Sequence, residues 1–538
     1  MPAAASPPGA TRTNPRGPSA WAPLARGSFR SLWLAQLGSN VGTWMQTVGA
    51  QWMLVHQPNA AILTSMVQAA SLLPVLFLSL PAGVLGDVLD RRALLITLSV
   101  VMAVLSAVLT VLTAADLTTP AVLIALTFTM GCGSALMGPG WQAIQPELVP
   151  REQIPAAAAL GSLNVNVARA VGPAAAGVIV ALTGPGVVFG INSVSFLGVV
   201  GALACWRRPR GTAGTPERLR PALASGTRYV RNAPGVRRVM LRAALFVVPA
   251  SALWGLLPVV SSERLGLGAG GYGLLLGALG LGAVVGAVTV KRLRTVMGAG
   301  GLLASSTCAF ALGTAAAAVL HQPVTVAVLL VVTGAGWLYA LSTLNTTLQL
   351  ALPAWVRARG LAVYLMVFMG GQGIGTLLWG LLADGAGIPT TLLVATGLLL
   401  IGCASLARWP ILGLTGTLDR EIVAPWPEPA LGPSAGSLDG PVLVEVTYRV
   451  AAERVAAFKE AMSSLAVSRR RTGASHWSLY RDAEDEGSWV EVFEVPSWEE
   501  HLRQHEGRIT GYDADLIQQA RELSEQAPAV RHLVPPPV

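Results

Sequence analysis

Long apolar stretches make up most of the chain between residues 29 and 408. They break at glycine, proline or charged residues into runs of about 20 residues, the length that an α-helix needs to cross ~30 Å of hydrocarbon. The pattern therefore predicts twelve transmembrane helices. They lie at residues 31–55, 62–86, 93–114, 120–142, 156–182, 187–206, 240–261, 270–290, 299–319, 323–346, 359–383 and 388–407.

The pattern changes after residue 408. Proline and glycine are frequent in 409–440, which predicts an extended linker. In 441–538, the spacing of hydrophobic residues predicts a strand, a helix, two strands, a helix and a last strand. This order of elements is that of a small ferredoxin-like α+β domain. The fold class is therefore an all-α membrane protein of two six-helix halves with this domain appended. The remaining divisions are a disordered cytoplasmic tail, an N-terminal half, a basic cytoplasmic loop and a C-terminal half, at 1–28, 29–206, 207–239 and 240–408.

Composition and charge narrow the class of protein further. A hydrophobic fraction of 53% and a charged fraction of 12% exclude a soluble enzyme of 538 residues. Up to residue 410 the net charge is +17, from 25 basic and 8 acidic residues, and the remainder carries −8, from 12 and 20. The cations fall in alternate loops, so the positive-inside rule predicts a multi-pass protein of the plasma (inner) membrane with both termini cytoplasmic.

The opposite charges of the two parts predict that the C-terminal domain docks near the loop from Arg207 to Arg242. The same arginines argue against a nucleic-acid partner, because they are not interleaved with aromatic residues and form no soluble basic face. The partners that remain are the lipid bilayer and a small-molecule substrate.

The connection between the second and third spans carries a charged motif made of Gly83, Asp87, Asp90, Arg91 and Arg92. It resembles the loop signature of the major facilitator superfamily, G-x-L-x-D-x-x-G-R-R/K, with Asp90 in the position of the second glycine. The acid beside a helix end and the two cations form a charge network that can hold an inner gate in one state. The alternative is a short positive-inside loop with an incidental acid.

The fifth span contains Arg169, Gly172, Pro173 and Gly177. The segment resembles the G-P-x-x-G-G core of the exporter-associated motif of the same superfamily, with Ala176 in the place of the first glycine of the final pair. Glycine and proline here predict a hinge between the halves, and an ordinary proline kink is the alternative. Arg169 is the only cation well inside a predicted span, so it either faces a cavity or partner or extends to the cytoplasmic end.

Polar side chains at three- and four-residue spacing mark one face of the first span and recur in other spans. Because polar groups in lipid need partners, these faces predict the wall of a substrate cavity. For each of these residues, a hydrogen bond to another helix is an equally good explanation as contact with a substrate. The candidates are Asn40, Thr43, Trp44, Thr47 and Gln51 in the first span, and Gln142, Asn166, Asn345, Gln349 and Gln372 elsewhere.

Four segments, Phe29–Gln36, Gly42–Gln46, Leu148–Glu152 and Arg228–Arg231, give a more specific resemblance. They are similar to the transmembrane secretion effector branch, which includes enterobactin-type siderophore exporters and drug efflux carriers. The resemblance implies a secondary transporter that exports drug-like or siderophore-like molecules by alternating access. Proton coupling is an implication of the family only, because no acid lies at the middle of a predicted span.

The C-terminal domain resembles the dimeric α+β barrel domains related to antibiotic-biosynthesis monooxygenases. The resemblance implies self-association through this domain, and no cofactor. His501 and His505 lie one helical turn apart, but no third metal ligand is evident, so we predict packing or solvated histidines, no metal site and no catalytic residues. The alternative function is a membrane-tethered small-molecule-binding or monooxygenase-like enzyme with a transporter-like anchor.

Overall fold

The computed structural model describes residues 19–206, 227–411 and 440–535, except for the side chains of residues 80, 83–88, 358 and 506. Eleven long helices form the membrane part of this described chain, and ten helical stretches are long and apolar enough to cross a bilayer. The helices are α1 Gly27–Leu54, α2 Ala60–Val88, α3 Arg91–Ala114, α4 Pro120–Ile144, α5 Ile154–Thr183, α6 Pro185–Cys205, α7 Pro234–Val259, α8 Ala269–Val319, α9 Pro323–Ala351, α10 Arg357–Ala386 and α11 Ile388–Arg408.

Helix α8 contains two of the predicted spans, 270–290 and 299–319. Its 51 residues would extend for roughly 77 Å if straight, more than twice the ~30 Å of hydrocarbon in a bilayer. The helical path breaks at Gly298, where φ is 66°, a backbone conformation that glycine adopts more readily than other residues. Gly282 and Gly313, on opposite sides of the break, pack against α9 only two residues apart, so the chain reverses direction at Gly298.

The two ends of the helix bundle differ. The connections α2–α3, α4–α5, α6–α7 and α9–α10 lie at one end, which we call the arginine-rich end, and the turns α1–α2, α3–α4 and α5–α6 lie at the opposite end. The α5–α6 turn contains Gly184, with φ of 85°, and the corresponding α10–α11 turn of the other half contains Gly387, with φ of 82°. Each of these glycines is followed by a helix with proline in its first turn. This correspondence supports an internal repeat.

The halves contact each other mainly through α5 with α8 and α2 with α10. Near the opposite end, Gly177 of α5 packs directly on Gly273 of α8, and Gly380 of α10 packs on Ser65 of α2. The buried Tyr272 hydroxyl donates a hydrogen bond to Oε1 of Gln51, at 2.6 Å, and joins α8 to α1 at the same level. The bundle is therefore closed at the end opposite to the arginines.

The C-terminal domain has a four-stranded antiparallel sheet in the order β2-β3-β1-β4. The predicted order of strands and helices is present, and Tyr448, Phe458 and Phe493 lie in its core. A buried ion pair joins Arg469 Nε to Glu491 Oε1 at 3.0 Å. The elements are β1 Val442–Arg449, α12 Val455–Thr472, β2 His476–Arg481, β3 Ser488–Val495, α13 Trp498–Arg503, α14 Gly511–Glu522 and β4 Ala529–Leu533.

This domain docks on the arginine-rich end. Arg228, which precedes α7, donates a hydrogen bond to the carbonyl oxygen of Gly473. The guanidinium of Arg508 lies 5.0 Å from the ring centre of Trp355 in the α9–α10 connection, and Trp355 packs edge-on against Tyr229. The predicted docking near the basic loop is confirmed, but the contacts are a backbone hydrogen bond and a cation–π pair rather than long-range attraction alone.

Candidate functional site

A cavity of about 550 Å³ lies among α1, α4, α5 and α6, in the part of these helices nearest to the arginine-rich end. Three predicted candidates, Asn40, Thr43 and Gln142, line it. Two further glutamines, Gln36 and Gln145, also border this space. The cavity therefore lies within the N-terminal half, and polar and apolar side chains share its wall.

Some of the predicted polar residues make hydrogen bonds between or within helices. Asn40 donates to Oδ1 of Asn164 at 2.9 Å, and Asn164 donates to the carbonyl oxygen of Trp33, which joins α1 to α5. The hydroxyl of Thr47 donates within α1, to the carbonyl oxygen of Thr43. Hydrogen bonding between or within helices, the alternative left open by the sequence, therefore accounts for part of the polar stripe.

Four other candidates do not border this cavity. Asn166 donates to the carbonyl oxygen of Ser162 within α5, and Gln349 donates to Oδ1 of Asn345 within α9. Gln372 is buried in α10. The structure thus separates candidates that the sequence pattern had grouped into one wall.

Arg169 lies at the middle of α5, where its guanidinium sits 5.8 Å from the ring centre of Trp44. Trp44 is next to Trp254 of α7, at 6.2 Å between ring centres, and Trp254 is next to Trp337 of α9, at 5.4 Å. Nε and Nη1 of Arg169 and the indole nitrogens of Trp254 and Trp337 are shielded from solvent. None of these four atoms has an acceptor among the described residues. These four residues, the Arg169 centre, form a donor-rich, acceptor-poor site between the two halves.

The glycines of the fifth-span motif lie at contacts with other helices. A Cβ added to Gly172 would lie 2.7 Å from Cβ of Trp44, and one added to Gly177 would lie 2.7 Å from Cα of Gly273. Pro173 lies inside α5, and its carbonyl oxygen faces Gly273 as well. The motif therefore allows α5 to contact α1 and α8 at backbone distance.

Three members of the charged motif between α2 and α3 make separate contacts at the arginine-rich end. Asp90 caps α3 by accepting a hydrogen bond from the Ala93 amide, at 2.8 Å, which explains an acid in this position. Arg91 pairs with Glu147 at 3.0 Å, and Arg92 donates to two carbonyl oxygens at the end of α6. The side chain of Asp87 and the surroundings of Gly83 lie outside what the structure describes.

A second cavity, of about 250 Å³, lies in the C-terminal domain and contains His501, His505 and His532. Burial is the main cause that lowers the pKa of His501 to about 3, and the charges of the two neighbouring histidines add to it. Burial lowers the pKa of His505 to about 4. Burial also lowers the pKa of His532. No third ligand beside His501 and His505 is evident in the sequence, and the structure brings His532 of β4 next to them.

A bundle of long apolar helices, with a cavity lined by polar and apolar residues of α1, α4, α5 and α6, is the architecture of a multi-pass membrane transporter of the major facilitator type. The chain belongs to the transmembrane secretion effector family, whose family model matches residues 18–536. The family and the relatives described next are transport proteins rather than enzymes.

The chain is 35% identical over 144 residues to the staphyloferrin A transporter of Staphylococcus aureus, a match that covers 26% of this chain and 36% of that protein. It is 26% identical over 246 residues to macrolide efflux protein A of Streptococcus pyogenes, covering 44% and 59%. The chain thus spans less than two thirds of the length of these curated relatives.

Two solved structures show the same fold at low sequence identity. The first is a bacterial homolog of the human lysosomal transporter Spinster in an inward-facing conformation, with a TM-score of 0.57 and 15% identity over 72% of this chain and 98% of the other. The second is a POT family transporter in complex with 5-aminolevulinic acid, with a TM-score of 0.57 and 14% identity over 71% and 95%.

Proposed function

We propose that this protein is a secondary exporter that carries a small molecule with an anionic or hydrogen-bond-accepting group across the plasma membrane. The chain crosses the bilayer twelve times in two halves, with both termini in the cytoplasm, and the halves rock about the α5–α8 and α2–α10 contacts. The relatives named for staphyloferrin A transport and macrolide efflux support a drug-like or siderophore-like substrate.

The observation that carries this proposal is the set of unsatisfied donors at the Arg169 centre. A charge inside a span costs at least ~2.5 kcal/mol on insertion scales, and a buried donor without an acceptor costs ~1–3 kcal/mol. No described residue offers the acceptor that would offset this cost for Nε or Nη1 of Arg169. A carboxylate or a similar oxygen acceptor on the substrate supplies it, while the tryptophan rings contact the apolar part of the molecule.

The position of the cavity supports loading from the cytoplasm. The cavity lies toward the arginine-rich end, which the positive-inside rule places inside the cell, and the halves are packed together at the opposite end. We assign the inner gate to Gly83, Asp87, Asp90, Arg91 and Arg92. Proton coupling is the drive that we propose from the family, without assigning a proton-carrying residue.

An efflux assay with matched probes tests the proposal. We expect Arg169→Gln to lower export of a carboxylate-bearing fluorescent probe at least ~10-fold, the effect of losing ~1.4 kcal/mol of binding, with Arg169→Lys retaining part of the activity. Arg151→Gln, which changes an exposed arginine beside α5, is the control. Equal export by Arg169→Gln and the control at equal membrane abundance would refute the substrate assignment, and export that a protonophore leaves unchanged would refute proton coupling.

We propose that the C-terminal domain is a ferredoxin-like module, related to dimeric α+β barrels, that regulates the carrier or pairs two copies of it. The strand order β2-β3-β1-β4 with helices after β1 and β3 supports this topology. A chain ending at Arg408 should keep its export activity. If that chain reaches the membrane in normal amounts but exports nothing, the domain takes part in the transport cycle itself.

A further inference from the structure

We propose that His501, His505 and His532 together bind one divalent transition-metal ion of the zinc type. The three side chains converge in the cavity of the C-terminal domain, and their ligand atoms all lie within 4.8 Å of one another. They come from three separate places, namely helix α13, the helical turn that follows it, and strand β4. Nothing in the proposed export mechanism uses them.

The spacing of the nitrogens fits a metal-bound geometry. Nε2 of His501 and Nε2 of His505 lie 3.3 Å apart. Two imidazole nitrogens bound to Zn²⁺ at 2.0–2.1 Å in a tetrahedral site are also about 3.3 Å apart. The ring centre of His532 lies 4.8 Å from that of His501, which places a third imidazole beside the other two.

The state of the rings also favours a metal. Nδ1 of His501 lies 3.3 Å from Oε1 of the buried Gln504, an acceptor that holds the proton on Nδ1 and leaves the lone pair on Nε2. Metal-binding histidines are commonly oriented by such a partner on their second nitrogen. His505 lies in a π-helical turn, Gln504–Arg508, a distortion that is frequent at functional sites.

The surroundings indicate how the site would be completed. The carboxylate of Glu491 is already occupied by Arg469 and by the indole of Trp477, so it is not a fourth ligand. Three neutral imidazoles and an open fourth position, facing a cavity of about 250 Å³, therefore define the site. Three-histidine sites with one open position are suited to Zn²⁺ and similar divalent ions, with water or a small anion as the fourth ligand.

Metal titration of the full chain in detergent, purified without a polyhistidine tag, tests the site. We expect one equivalent of Zn²⁺ or Co²⁺ to bind, with the visible absorption of four-coordinate Co²⁺. His501→Ala, His505→Ala and His532→Ala should each weaken binding by at least ~100-fold. A chain in which the other three histidines, His56, His321 and His476, are all replaced by alanine should keep the full equivalent.

A second measurement does not depend on the folding of any variant. X-ray absorption of the zinc-loaded native chain should show three imidazole ligands at about 2.0–2.1 Å. An unchanged Zn²⁺ affinity in any of the three cavity variants, or fewer than three imidazoles in the native spectrum, would overturn the proposal. Export is measured separately, so failure of the metal site and failure of the exporter assignment are distinguishable.

Discussion

The contact of Gly177 with Gly273 leaves no room for a side chain between α5 and α8. The Cβ of Gly177→Ala would lie 2.7 Å from Cα of Gly273 and 2.8 Å from the carbonyl oxygen of Ala269. Ordinary van der Waals contacts begin near 3.4 Å, so the two helices must separate by roughly 0.7 Å. Overpacking of this kind costs ~1–3 kcal/mol, and the cost applies only to the conformation in which the contact is closed.

A penalty of ~1–3 kcal/mol on one of two conformations shifts their equilibrium by about 5- to 150-fold. We therefore expect Gly177→Ala to favour the state that is open at the end opposite to the arginines. Spin labels at Gln57 and Gln322, exposed in the connections of the two halves at that end, should report a longer distance in a chain whose native cysteines have been replaced.

Two glycines of α8 near this contact allow variants of graded severity to be compared. A Cβ at Gly270 would meet nothing closer than 3.9 Å, and one at Gly277 would lie 3.3 Å from Ala174. Gly270→Ala is therefore the matched control, with Gly277→Ala intermediate between it and Gly177→Ala. If Gly177→Ala gives the same distance distribution and the same export as Gly270→Ala, the close α5–α8 contact does not set the balance between conformations.

Two further changes test the C-terminal domain. Glu491→Ala leaves the buried Arg469 without its ion-pair partner and should lower the stability of the domain by about 3–5 kcal/mol, or its unfolding temperature by at least ~12 °C. Glu494→Ala, which removes an exposed pair, should change the unfolding temperature little, and thermal melting followed by proteolysis measures both variants. Trp355→Leu removes the contact with Arg508 and should speed hydrogen exchange at the docking surface by about 2- to 30-fold, while the exposed Trp409→Leu should not.

Much of the helical framework could be predicted from local pattern. The runs at 93–114 and 388–407 lie within one residue or two of α3 and α11, because apolar length and flanking charge are both local signals. The pattern also predicts separate spans at 270–290 and 299–319, and the backbone reversal at Gly298 lies between them. The strand and helix order of the C-terminal domain followed equally from local periodicity.

The sites were less predictable, because their residues meet only after folding. His532 joins His501 through the pairing of β4 with β1, which places His532 opposite Val444, and no spacing in the sequence encodes that register. Likewise, the polar face of α1 is shared between the cavity and contacts with α5, and the choice depends on the rotation of α1 against its neighbours. A polar pattern identifies such a face without identifying its partner.

Glu500 and His501 are consecutive residues of α13 that face different neighbours. Glu500 accepts two hydrogen bonds from Arg508, the residue that lies on Trp355 of the membrane part, whereas His501 faces the cavity of the domain. If a ligand in the cavity shifts α13, it also changes the free energy of docking on the α9–α10 connection. Thermodynamic linkage then requires the converse: displacing that connection would change the affinity of the cavity for the ligand by the same factor.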